Sequence, residues 1–475
     1  MKNKLAKAMV REQNTTFTEN GAVTNKSTLN AVLDFFYHAP ARRADVGNIQ
    51  LFWDAFSEDS RLALKMLFYL RDVRGGKGER ESFRLILRSI AKNQPNLFAK
   101  LVPYVAYFGR WDDLIEYTEN QAVVELILDT LWEDKDSKKP SLLAKWMPSI
   151  NTSSEDSRKL ARRWAEQLEL TEREYRKLLS GIRAKLSLVE SKMSDNEWNT
   201  INYSGVPGRA MKLYGKAFGR HDGDRFGQFI QKAVKGEVKI NSGTVYPHEL
   251  VAKYFSNSAV DNVVEAQWNQ LPNYCSVNRN AIAISDVSGS MMGTPIQVSI
   301  ALAIYLAERN QGAFQNLFMT FSGQPEIIRL TGKTLAQKVK QVSQSNWAMN
   351  TNLQAAFTKL LDLAVKNNAP AEDMPEVVFI ISDMEFDHCV EGTNLDGIRA
   401  KYERAGYKLP MVAFWNVQSR NNQVPATADE NGVYLLSGFS PEAFKQALNL
   451  GAKNPEELML EVLNTERYSF VDKIV

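Results

Sequence analysis

Apolar residues recur at three- and four-residue spacing through most of the first 190 positions, the pattern of amphipathic helices. Segments 30–37, 60–70, 81–90 and 97–106 each carry it, and short polar turns separate them. A longer helical stretch follows at about 158–192, and residues 195–275 are less regular, with Trp198, Tyr203, Tyr214 and Phe218 spread through a polar background. Strand-like alternation is scarce before about residue 235. Helices in series with short connections pair antiparallel, so the pattern predicts a helical-repeat, HEAT-like body able to close into a ring. No fixed-period repeat shows in the sequence, so any repetition is of structure alone.

Beyond residue 275 the pattern changes. Short, wholly apolar runs at 280–285, 317–321, 377–381, 411–417 and 433–436 read as buried strands, and 296–307, 354–364, 441–448 and 455–463 read as helices between or after them. Gly293-Thr294-Pro295 looks like a helix start, with Thr294 as the N-cap and Pro295 at the first helical position. The expected chain is multidomain: a helical body over residues 1–275 and a doubly wound, parallel-sheet α/β module over residues 276–475.

In such sheets ligands sit on loops at the carboxyl ends of the strands. Asp286-Val-Ser288-Gly-Ser290 lies there, between the first buried strand and its helix. Alone the string is weak, since average residue usage supplies an Asp-x-Ser-x-Ser in roughly one chain of this length in ten. Two later features strengthen it: Thr351 stands in a polar turn before a helix, and the strand at 377–381 ends in Ser382-Asp383. This order of strand-DxSxS, loop-Thr and strand-Asp resembles the metal-ion-dependent adhesion site of von Willebrand factor A modules. The resemblance implies that Asp286, Ser288, Ser290, Thr351 and Asp383 hold Mg²⁺ or Mn²⁺, which favour hard oxygen ligands. It also implies an open metal position that an acidic side chain of a partner protein could fill. Asn350 stands where that family often has glycine. Glu385, Asp387 and His388 follow, either as a solvated acidic loop or as carboxylates able to swing onto the ion.

Other chemistries lack their parts. Gly332-Lys333-Thr334 ends like a phosphate-binding loop, but position 327 is Ile where a glycine is needed. In Arg74-Gly75-Gly76-Lys77-Gly78-Glu79-Arg80 no hydroxyl residue follows the lysine; the loop could hold an anion or simply turn the chain. His38, His221, His248 and His388 are scattered without zinc-site spacing, and no nucleophile–base set accompanies the acids. The expectation is therefore a non-enzymatic protein.

Composition adds compartment and polarity. Only Cys275 and Cys389 occur, which fits a reducing cytoplasm. No run of about 18 apolar residues suggests a membrane span, and a monomer is expected. The net charge of +3 hides an asymmetry: residues 281–475 hold 16 Lys and Arg against 21 Asp and Glu, leaving 42 against 34 for residues 1–280. The basic excess gathers at Lys159, Arg162, Arg163, Arg176, Lys177, Arg183 and Lys185, with Trp164 and Tyr175 between them. Such a stripe could follow a phosphate backbone, or could pair with Glu166, Glu169, Glu172 and Glu174 as an ordinary solvated surface.

Thr18-Glu-Asn-Gly-Ala22, Leu70 to Arg80, Phe108-Gly-Arg-Trp-Asp-Asp-Leu114, Ser141 to Ile150 and Tyr246-Pro-His-Glu-Leu250 resemble signatures of a family found in phages, bacteria, plants and fungi. That family places a helical region before a von Willebrand A module. Its architecture is similar to that of the Ro ribonucleoprotein autoantigen, whose helical ring, the TROVE domain, binds structured or misfolded non-coding RNA. The resemblance implies an RNA-binding or ribonucleoprotein factor. The alternative is a metal-dependent protein adaptor that binds no RNA.

Overall fold

The computed structural model describes residues 4–256, 259–275, 279–321, 324–344, 351–388, 393–449 and 453–475. Helix α1 (Lys4–Asn14) leads into a small antiparallel hairpin of β1 (Thr15–Phe17) and β2 (Val23–Asn25). Five helices follow: α2 (Ala31–His38), α3 (Gly47–Glu58), α4 (Ser60–Arg71), α5 (Glu81–Asn93) and α6 (Pro95–Phe108). Their starts match the apolar periodicity, with Asn30 and Asp59 as side-chain caps of α2 and α4. Next come α7 (Gln121–Asp136), the short α8 (Leu143–Trp146), α9 (Glu155–Gln167), α10 (Glu172–Lys185) and α11 (Val189–Ser194).

The stretch expected to be one long helix at 158–192 is thus three. Glu169 adopts a left-handed φ of 54°, and Ser187 one of 48°, the conformation that commonly ends helices. Between them Thr171 and Glu174 form a reciprocal capping box that starts α10 afresh. The less regular region also proves helical, as α12 (Gly208–His221), α13 (Gly223–Val234), α14 (Pro247–Ser256) and α15 (Asn262–Asn269). Tyr203, Phe218, Phe226 and Ile230 form its separate small core.

The second half begins with β3 (Ala281–Ser285), α16 (Thr294–Arg309), β4 (Leu317–Thr320), β5 (Ile327–Arg329), α17 (Leu335–Ser343) and α18 (Leu353–Lys366). It continues with β6 (Val377–Ser382), α19 (Asn394–Arg404), β7 (Met411–Asn416), β8 (Val433–Ser437), α20 (Glu442–Asn449), α21 (Pro455–Leu463) and a 3-10 tail at Glu466–Lys473. Gly293, at a φ of 92°, is the N-cap of α16; Thr294 is already inside the helix. The short β5 and the helix α17 escape the apolar pattern. Gly332-Lys333-Thr334 owes its form to capping, since the Thr334 hydroxyl accepts from the Gln337 N–H at the start of α17.

The six strands lie in the order β5-β4-β3-β6-β7-β8, all parallel except for the β4–β5 pair. The chain runs outward from β3 through β4, then crosses back to place β6 on the other side of β3. The switch in direction therefore falls between β3 and β6, where the crevice of an open α/β sheet lies. The architecture is a largely helical first region followed by a mixed-sheet domain consistent with a von Willebrand A-like fold.

The two halves share their core. Ile282, Ile284, Val378, Ile380, Val412 and Phe414, on one sheet face, belong to the same apolar cluster as Phe35, Phe68 and Leu101 of the helical region. Ala281, Ala283, Phe379 and Trp415, on the other face, pack with α16 and with Leu250 and Trp268 of α14 and α15. Each large side chain buried this way contributes roughly 1.5–3 kcal/mol. The 3-10 tail returns to the first helices, where Phe470 packs on Phe68 at 4.9 Å and stacks on Tyr104 at 4.2 Å.

Candidate functional site

At the switch point the structure brings Asp286, Ser288, Ser290 and Asp383 to one edge. Asp286 follows β3 and is fully buried; its carboxylate accepts from the Ser288 N–H at 2.9 Å and the Ser382 hydroxyl at 2.6 Å. The Ser288 and Ser290 hydroxyls lie 3.0 Å apart. Burial first, and then the neighbouring Asp383 charge, push Asp286 up to about 6. Thr351 is buried, and its carbonyl accepts from the Asp387 N–H at 3.1 Å. Met349 and Asn350 lie outside the described residues.

The geometry corrects the expectation of Mg²⁺ or Mn²⁺. Among the described residues no group of three or more His, Cys, Asp or Glu side chains is placed to hold a metal ion. The two aspartates are engaged by the protein itself. The Arg420 guanidinium, from the loop between β7 and β8, donates to Asp383 and lies 3.5 Å from the Glu19 carboxylate. A guanidinium thus supplies the positive charge that the sequence assigned to a cation.

Glu385 is neither a solvated loop residue nor a swinging ligand. It is buried, and it accepts from the Glu19 N–H at 2.7 Å and the Asn421 amide at 2.9 Å. Burial raises its carboxyl above the ordinary range, as it does that of Asp387. The adaptor reading loses its metal by the same observations.

The chain's own N-terminal hairpin packs on the β6 side of the crevice, while Ser290 on the β3 side stays exposed. Gly21 bridges to Asp387, Val23 to Thr393 and Asn25 to Val424. The Thr18 hydroxyl donates to the Phe386 carbonyl at 2.7 Å, and the Asn20 amide to the Glu385 carbonyl at 2.7 Å. Sequence reasoning missed Arg420, Glu19 and this packing. Two signals were present: Arg420 follows a strand at the same sheet edge, and Glu19 lies inside a family signature.

The basic residues of the helical region divide into two groups. Lys159 pairs with Glu155 at 2.8 Å, and Arg162 with Glu172 at 2.9 Å, on exposed surface. Arg163 is exposed on the same helix. Trp164 and Tyr175 are core residues, donating to the Ile115 and Pro148 carbonyls, and are not stacking surfaces. On α10 the grouping is tighter. Arg173, Arg176, Lys177 and Arg183 line an open pocket of about 440 Å³ with Ser149, Asn151 and Ser180, and no carboxylate residue is among the described residues of its lining. Arg183 forms the back of this pocket, donating to the Ala144 and Met147 carbonyls and the Ser149 hydroxyl. Lys185 lies farther along α10 and donates to the carbonyls of Lys135 and Ser137.

The Arg74 to Arg80 loop turns the chain. The Lys77, Gly78 and Glu79 N–H groups donate to the Tyr69, Asp72 and Leu70 carbonyls, which leaves them unavailable to an anion. His38 and His248 are buried, and so is Cys275, its thiol pushed up to about 12. Cys389 lies outside the described residues. No helix among the described residues is long and apolar enough to cross a membrane.

Comparison with known proteins places the chain. Residues 18–117 and 152–275 match the family described as Domain of unknown function (DUF2828), and residues 280–472 match Domain of unknown function (DUF7788). The "Uncharacterized protein L728" of Acanthamoeba polyphaga mimivirus is 32% identical over 500 residues, covering 95% of this chain and 87% of that protein. Among solved structures, the Ro (RSR) protein of Deinococcus radiodurans is distantly similar, at 13% identity and a TM-score of 0.32 over 93% of each chain, too loose a likeness to carry an argument. With its two matched regions in this order, the chain belongs to the same family as the mimivirus protein L728.

Proposed function

We propose that the protein is a non-enzymatic RNA-binding factor whose helical region, read as a HEAT-like array, meets the phosphate backbone through α10, beside a von Willebrand A-like module. One observation carries this reading: Arg173, Arg176, Lys177 and Arg183 converge on an open pocket without a carboxylate residue in its described lining. Arg173, Arg176 and Lys177 concentrate positive charge beside Arg183, which protein oxygens hold in place, and such a field attracts anions; a phosphate chain is an anion whose length suits an open site. A cytoplasmic setting, as a monomer, belongs to the same proposal.

The test is fluorescence polarisation with a labelled transcript carrying a stem and single-stranded ends. Binding is expected at low salt and falls as salt rises, because each neutralised phosphate releases counterions. The variant R173A/R176A/K177A is expected to lose most of the affinity and to flatten the salt dependence. A folded protein that binds no transcript at low salt rules the proposal out.

A further inference from the structure

We infer that a second pocket, on the other flank of α10, is a base-stacking platform, and that the RNA this body takes is single-stranded there; the inference rests on the RNA reading above. Trp132 of α7 is 40% exposed, an unusual position for the largest apolar side chain. It borders an open pocket of about 420 Å³ whose floor is Leu170, Leu178 and Ile182. Gly181 stands in the same wall, and a side chain there would meet nothing within 4 Å, so the space above the helix is free.

Charge surrounds this apolar floor. Lys135, Lys177 and Lys185 line the pocket, and the Lys135 ammonium lies 4.7 Å from the centre of the Trp132 ring. Lys185 ties the 135–137 segment against α10 through its two carbonyl contacts. Glu174 is the acid in the lining, and its carboxylate is turned to its own helix start, accepting from the Thr171 N–H at 2.9 Å and the hydroxyl at 2.6 Å. An exposed indole with one ammonium over its ring, beside an apolar floor with two further lysines in the lining, is an arrangement on which an unpaired base stacks while its phosphates are neutralised.

Lys177 lines both pockets, so the two share a wall. A single strand can lay a phosphate in one and a base in the other. A duplex cannot, because its bases are paired and stacked inside the helix.

The test compares a short unstructured oligoribonucleotide with the same sequence annealed to its complement, using wild type, W132A and W132F. W132A is expected to weaken single-strand binding by roughly tenfold, the usual scale for loss of one stacked base, with W132F retaining most of it. The duplex is expected to bind more weakly and to be indifferent to W132A. Equal binding of strand and duplex, or single-strand binding unchanged in W132A, overturns the inference and leaves the RNA reading standing. Binding of neither oligonucleotide at low salt removes both. Preference for anionic phospholipid vesicles over either would assign the platform to a membrane surface and overturn it. A thermal melt of each variant confirms that it is folded.

Discussion

Single residues explain why the family signatures have the form they do. Asp113, in Phe108-Gly-Arg-Trp-Asp-Asp-Leu114, is buried and accepts from both Arg71 and Arg84 at 2.7 Å. A Cβ on Gly109 would collide with Asp113 and Arg71, and one on Gly76 would collide with the Tyr69 carbonyl. Tyr246, from a third signature, donates to the Lys77 carbonyl at 2.8 Å. These separated stretches form one packed knot, a structural role that spacing alone does not reveal. Arg420 supplies the counter-charge at the sheet edge. Replacing it with alanine leaves Asp383, whose side chain is fully buried, without its counter-charge. Breaking a buried pair costs roughly 3–5 kcal/mol, and because Arg420 is one-third exposed a loss of about 2 kcal/mol is expected for R420A. Urea denaturation of R420A and of R420A/D383N measures it; the double variant is expected to regain part of the loss, and equal stabilities for wild type and R420A would refute the role.

At the level of elements, α2 and α14 carry the histidines that couple the helical region to the sheet. The His38 Nδ1 lies 2.8 Å from the Ser419 hydroxyl, and His248 packs edge-on against Phe439. Burial, then nearby arginines, lowers both to about 3. Below their ordinary value near 6.5 the unfolded chain takes up protons that the folded chain refuses. Stability from these groups is therefore complete above about pH 6.5 and is lost as pH falls toward 3, by on the order of 1 kcal/mol per pH unit for each. Urea midpoints followed from pH 7 to pH 4 should fall more gently in H38N and in H248F than in wild type. Identical slopes would mean that neither histidine is the source. The strands and most helices of these halves were readable from apolar period, because burial on both faces leaves uninterrupted apolar runs. The breaks at Glu169 and Ser187 were not, since left-handed residues other than glycine leave little mark in sequence.

Over the whole molecule, the shared core makes separation of the halves costly. One sheet face belongs to an apolar cluster that runs on through Phe35, Phe68 and Leu101 of the helical region, with α2 packed against the edge strand β8. Residues 276–475 expressed alone are expected to expose that face, bind a hydrophobic dye and lose a cooperative melt; a compact, cooperative fragment would show that the sheet does not need the helices.

Local periodicity and the points where strands end were enough to place most strands, to order the helical and α/β regions, and to bring Asp286, Ser288, Ser290 and Asp383 to one sheet edge. What those residues meet was settled by packing between distant segments. Arg420 arrives from the loop after β7 and Glu19 from the N-terminal hairpin, and the counter-charge of a carboxylate is set by which segments fold against it. The same holds for α10. Its basic residues are plain in the sequence, whereas their convergence on one pocket, and the open indole of Trp132 beside it, depend on how α7 and the 149–151 segment pack around that helix.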